Sequence, residues 1–214
     1  MVEKFIVLDT ETTNDIECPL TYDIGFAVID KFGTVYEQHS FVVADIFLDK
    51  ELMASAFFAE KIPMYWEQIK KGERTLTSFF NIRKILASVM KKYDTNIVMA
   101  HNMRFDYVAT ATTQRYLTKS KYRFFFPYGT EFWDTLKMAR ETLADDEKYC
   151  EFCTENNYKT SNNSNRYTAE ILYRFLTDDN SFIESHTGLE DVLIEKEIFV
   201  ECVRRNPEID GKLW

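Results

Sequence analysis

The first strongly apolar run in the chain is Phe5, Ile6, Val7 and Leu8, and it stops at Asp9. With no polar position on either face, it predicts a strand over 4–9 covered on both sides. Segments 23–30 (DIGFAVID) and 34–43 (TVYEQHSFVV) also have strand patterning. The DKFG between them has turn chemistry, with Gly33 free to take a positive φ, so an antiparallel meander is expected. Residues 45–72 are less regular, with short helices expected around 50–60 and 64–71. Leu76, Phe79, Phe80, Ile82, Leu86, Val89 and Met90 recur at helical spacing and predict a helix over 76–92, capped by Thr75. NIVMAHN (96–102) predicts a short buried strand, and 103–117 a helix. The further apolar run in YRFFFPYG (122–129) is cut by Pro127 and Gly129, and a helix is expected from near Asp134. Helices follow at 146–156, 167–176 and 188–204, with KTSNNSN (159–165) as a polar loop. A meander followed by strand–helix alternation predicts a mixed sheet with helices on both faces.

Composition narrows the class. At 214 residues, 45% of them hydrophobic, with 18 Phe and 12 Tyr, the chain suits one compact domain with an ample core. Only 6 Gly and 4 Pro argue against low complexity. Four scattered cysteines do not make a disulfide framework. No leader is expected ahead of the first strand, and no apolar run approaches the ~18 residues of a membrane span. The expectation is a soluble protein of a reducing cytoplasm, with no membrane partner. A net charge of −9 argues against tight binding to nucleic acid through a basic surface. It leaves room for an enzyme that touches a few nucleotides and relies on metal ions for positive charge. CEFC (150–153) has no second Cys pair or paired His behind it, so buried thiols are expected rather than a zinc site. His39 and His101 are read as structural.

Three stretches carry candidate chemistry. Asp9 and Glu11 are two apart on a strand and share a face. Two adjacent carboxylates repel, and a divalent cation with oxygen ligands resolves the conflict. Alone, such a pair is most often just the acidic start of a loop. AHNMRFDYVA carries Asn102 and Asp106 four residues apart, on one face if helical. In SHTGLEDVLIE (185–195), Thr187 and Glu190 match a capping box, so a helix is expected from Gly188, with Asp191 in its first turns and His186 on the loop outside.

Asp9, Glu11, Asp106, His186 and Asp191, in that order, resemble the DEDDh group of 3′→5′ exonucleases, the epsilon-type, DnaQ-like proofreading superfamily. The likeness lies in D-x-E on the first strand, H-N-x-x-F-D after a later one, and H-x4-D at a helix start, spanning residues 5 to 199. Gly188 stands where the family more often has alanine, which bears on packing rather than ligation. The resemblance implies a ribonuclease-H-like α/β fold: a mixed five-stranded sheet, antiparallel meander plus parallel strands, flanked by helices, with 1–214 as a single exonuclease domain. It implies phosphodiester hydrolysis by two divalent cations, Mg²⁺ or Mn²⁺, at the 3′ end of single-stranded DNA, releasing mononucleotides. An RNA-directed enzyme and a non-catalytic accessory domain are the alternatives. Asp9 would bridge the cations, Glu11 and Asp191 would hold the one carrying the nucleophile, and Asp106 would support the other. His186 would be the general base. Thr10, Thr12, Asn102 and Phe105 are candidates for substrate contact. Lys119, Lys121 and Arg123, interleaved with Tyr122 and Phe124, could track a strand's backbone, although a solvated loop accounts for them as well.

Overall fold

In the computed structural model, which describes residues 2–13, 16–121 and 124–214, the Phe5–Leu8 run lies within β1 (Lys4–Thr13). Its neighbours explain its apolarity. On one side β2 (Leu20–Asp30) pairs antiparallel, and it pairs in turn with β3 (Val35–Val43). The β2–β3 turn uses Gly33 at φ 82°, whose N–H donates to the Asp30 carbonyl at 3.0 Å. On the other side of β1, β5 (Ile97–Ala100) pairs parallel.

Among the described residues the sheet has six strands in the order β4-β3-β2-β1-β5-β6, one more than expected. The extra strand is β4 (Thr75–Thr77), which adds to the β3 edge in parallel. It takes residues that the helical spacing of 76–92 had claimed, and Leu76 is a strand residue. The last strand, β6 (Glu131–Asp134), pairs parallel with β5 and follows the apolar run at 124–126 rather than containing it. Phe125 and Phe126 from that run are buried in the core instead. Tyr122 and Arg123 lie outside the described residues.

Short helices α1 (Ala44–Phe47) and α2 (Lys50–Met53) and a 3₁₀ turn at Ala59–Lys61 lead into α3 (Ile62–Lys71). Then come α4 (Phe79–Lys92), N-capped by Ser78 rather than Thr75, and α5 (Met103–Thr118). On the far side lie α6 (Thr135–Leu143), α7 (Glu147–Glu155), α8 (Ala169–Thr177) and α9 (Gly188–Arg205). The period-two alternation of β1 separates two cores. Ile6 and Leu8 pack with Tyr65 of α3, with Leu86 of α4 and with Met103 of α5. Phe5 and Val7 pack with Met138, Tyr149, Leu172 and Phe199 of α6, α7, α8 and α9. Cys153 is a buried member of that second core. Among the described residues, no helix is long and apolar enough to cross a membrane.

One contact places α9. Gly25 of β2 sits opposite Asp9 in the β1 register, and Asp23 sits opposite Glu11. The first turn of α9 lies against β2 at this point. A Cβ on Gly25 would collide with the backbone of Gly188 and Leu189, and one on Gly188 would come 2.6 Å from the Gly25 nitrogen. Fully buried Asp23 completes the dock: it accepts the Gly188 N–H at 3.0 Å and the Tyr65 hydroxyl at 2.6 Å, and pairs with Arg74 at 2.9 Å. Arg74 also reaches Glu190 of α9 at 2.7 Å. A buried ion pair bonded on this many sides sets geometry more than it adds stability. Gly188→Ala should therefore lower unfolding stability by about 1–3 kcal/mol through overpacking, measured by denaturant titration. An unchanged midpoint would contradict this crossing.

Candidate active site

The acids predicted to act together reach one place by different routes. Asp9 and Glu11 come from β1, Asp106 from the first turn of α5, and Asp191 from the first turn of α9. With His186 they line a single cleft of about 510 Å³. Because β1 and β5 run parallel, the segment leaving β5 starts α5 beside the same strand ends. Asn102 makes that sharp entry at φ 73°, and its backbone N–H donates to Asp134 at 3.1 Å. Asp134 also caps α6 through the Leu136 N–H at 2.9 Å, so one carboxylate ties two helix starts.

At α9 the helix begins at Gly188, as the spacing predicts, but the expected capping box is not made. The Thr187 hydroxyl bonds the Glu190 carboxylate at 2.8 Å instead of accepting a backbone N–H. Asp191 takes the Thr187 N–H at 2.9 Å and lies 3.3 Å from the Ser185 hydroxyl. The competing pull is Arg74, which draws Glu190 toward Asp23 and away from the helix end.

Gathering acids here has an electrostatic cost. The buried Oδ2 of Asp9 has no hydrogen-bond partner, and burial followed by the charges of Glu195 and Asp106 pushes its pKa well up. Burial, with Asp191 next, raises Glu11 to about 8. Burial raises Asp106 and Asp191 to about 7 against the hydrogen bonds they accept. An oxygen-rich set that repels itself when ionised matches the needs of a hard divalent cation. Ligand atoms of Glu11, His186 and Asp191 already lie within 4.8 Å of one another.

His186 is held in the left-handed region at φ 47°. Its ring stacks on Phe58 at 4.5 Å and 13°, and its Nδ1 lies 3.8 Å from Glu184. Lys61 bonds the Ser185 carbonyl at 2.6 Å. Burial, then the Lys61 charge, lowers the His186 pKa. Phe58 and Lys61 come from the irregular segment before α3, where the sequence has no periodicity to read.

The substrate-contact candidates divide. Thr10 is buried, and its hydroxyl donates to Asp106 at 2.8 Å, which orients that acid. Asn102 is exposed at the cleft, whereas Thr12 faces an adjoining hollow that also contains Phe57 and Phe58. Phe105 borders both spaces. Lys119 and Lys121 do not line the cleft; Arg140 and Arg166 do, and nothing in the spacing had singled them out. Glu184 and Glu195 were also not foreseen. Burial raises Glu184 to about 8. Glu195 follows Asp191 by four residues on α9, and that spacing is its only signal in the sequence. His101, which meets the Thr135 hydroxyl at 3.1 Å and the Tyr167 carbonyl at 2.7 Å, is held neutral by burial with a pKa near 4 and ties the far wall together.

No protein-family model matches the chain, and no curated protein matches it by sequence. Solved structures match by fold. Exonuclease X in complex with a 5′-overhanging duplex DNA matches with a TM-score of 0.53 and 15% identity, over 96% of this chain and 94% of that one. The zinc-bound complex of E. coli exonuclease I with single-stranded DNA matches with a TM-score of 0.57 and 16% identity, over 97% of this chain and 42% of that one. This chain has the DnaQ-like exonuclease fold. The structure of SSB and exonuclease I with the inhibitor CFAM agrees, at a TM-score of 0.61, 14% identity and 97% of this chain. The chain spans about two fifths of the exonuclease I length, 43% in that last case. A DnaQ-like fold at such identity carries topology, and chemistry has to be argued from the site.

Glu11, Asp106, Glu184 and Asp191 give that site a measurable signature. Their folded pKa values, about 7 to about 8, stand above those of an unfolded chain. The stability they contribute is therefore full below about pH 4 and is lost as the pH rises through 7 and 8. In chelator, the melting temperature should fall between about pH 5 and about pH 8. Excess Mn²⁺ should raise it, and raise it more at the higher pH. A melting temperature that ignores both pH and Mn²⁺ would contradict a cation-adapted cluster.

Proposed function

We propose that residues 1–214 form one metal-dependent 3′→5′ exonuclease domain that removes nucleoside monophosphates from single-stranded DNA. The observation that carries this reading is the convergence of Asp9, Glu11, Asp106, His186 and Asp191 on one cleft of a DnaQ-like fold. Two of the solved structures named above hold single-stranded or overhanging duplex DNA, which supports a DNA end as substrate over RNA.

Asp9, Glu11, Asp106 and Asp191 would hold two divalent cations, Mg²⁺ or Mn²⁺. When bound, these neutralise the phosphodiester and acidify the attacking water. The remaining work falls to the chain itself. With Nδ1 turned toward Glu184, His186 leaves Nε2 to accept the proton of that water. Its lowered pKa keeps the ring neutral and ready at neutral pH. Stacking on Phe58 and the Lys61 bond to the preceding residue hold the loop still. Phe105, Phe57 and Phe58 offer faces for the terminal bases, with Thr12 beside them and Asn102 at the cleft. Arg140 and Arg166, which also line the cleft, suit the phosphates.

With Mn²⁺, the purified protein should shorten a 5′-labelled single strand stepwise from its 3′ end, and chelator should stop it. Asp9→Ala and Asp191→Ala should abolish release while remaining folded. His186→Ala should slow it by about 10²–10⁴. A matched RNA strand in the same assay reports the sugar preference. Full activity in Asp9→Ala, or cutting at internal positions, would overturn the proposal.

A further inference from the structure

Glu195 lies outside the five-residue pattern, and nothing in the mechanism above uses it. It is 3% exposed, one helical turn beyond Asp191, and it lines the same cleft as Asp9 and Asp106. The backbone N–H of His101 serves one side of its carboxylate. Its other oxygen, Oε2, is buried with no hydrogen-bond partner. Asp9 Oδ2 is in the same condition, and among the acids around Asp9 it is Glu195 that acts on it most strongly. The charges that act on Glu195 come from Asp106, Asp191 and Glu184, all negative.

A buried carboxylate whose strongest charged neighbours are acids is costly, and protonation does not remove the difficulty. A proton on Oε2 would need an acceptor, and that atom meets none, neither donor nor acceptor. At this position on α9, between Val192 and Ile198 of the core, an apolar side chain would pack with no such penalty. Two partnerless carboxylate oxygens in one oxygen-lined cleft are what a preformed cation site looks like before the cation arrives.

We propose that Glu195 is a fifth cation-holding carboxylate, acting beside Asp9 and Asp106, so that the cation on that side meets one more negative charge than the D-E-D-D pattern supplies. This rests on the metal-dependent reading above and adds to it a ligand position that the pattern lacks.

The test is a titration of the full chain with Mn²⁺, following free Mn²⁺ by electron paramagnetic resonance, with no substrate present. The wild type should bind two ions. Glu195→Gln, of the same size and without the charge, should weaken one of them by about tenfold or more and leave the other as it was. Glu195→Asp, which keeps the charge on a shorter arm, should recover part of that loss. Wild-type affinity at both sites in Glu195→Gln overturns the proposal, as does an equal loss in Glu195→Gln and Glu195→Asp, or a wild type that binds one ion. Asp9→Ala and Asp191→Ala separate the two levels. If they lose Mn²⁺ and Glu195→Gln does not, Glu195 alone is misassigned; if neither loses it, the metal-dependent reading itself fails.

Discussion

The close crossing of α9 over β2 is the constraint on which the rest depends. Gly25 and Gly188 meet backbone to backbone, with no room for a Cβ on either. In the β1–β2 ladder Gly25 stands opposite Asp9 and Asp23 stands opposite Glu11. The strand positions that dock α9 are therefore the direct neighbours of the strand positions that carry the first two acids. Asp23 then fixes the helix end by accepting the Gly188 N–H, and Arg74 fixes Glu190 in the same first turn. Asp191 and the loop bearing His186 have little freedom once those bonds are made. Glycine at position 188 has its reason here: the helix lies too close to the sheet for even a methyl group.

That geometry stores electrostatic conflict. Acids from three separate elements, together with Glu184 on the loop ahead of α9, share one cleft, and burial holds their protons on into the neutral range. The two cores on either face of β1 stabilise the frame within which this local strain persists. The same conflict suits the cleft to a divalent cation, because concentrated positive charge would let these groups ionise together. The acidic balance of the chain, −9, fits the proposed function, in which positive charge at a substrate's phosphate would come from bound ions and a few arginines rather than from a basic surface.

Much of this was legible in the sequence where local pattern and tertiary role agree. β1 announces itself because a central strand is apolar on both faces, and Asp9 stands out because it interrupts that run. The start of α9 at Gly188 follows from its neighbours' spacing, although the capping bonds differ once Arg74 competes for Glu190. β4 was hidden because three edge residues, Thr75 to Thr77, have no period of their own and continue a helical one. β6 was hidden because the more apolar segment before it is buried without pairing. Phe58 and Lys61 reach His186 across a long stretch of sequence, so no local spacing marks them. Glu195 was hidden among ordinary helical acids, and its burial depends on how α9 is docked.

A crystal grown with Mn²⁺ and measured at the manganese absorption edge tests the central claim most directly. Two anomalous peaks about 3.5–4 Å apart, with Asp9 between them and α9 still seated on Gly25, are the predicted result. An empty cleft at saturating Mn²⁺, or manganese bound only elsewhere on the surface, would contradict the account.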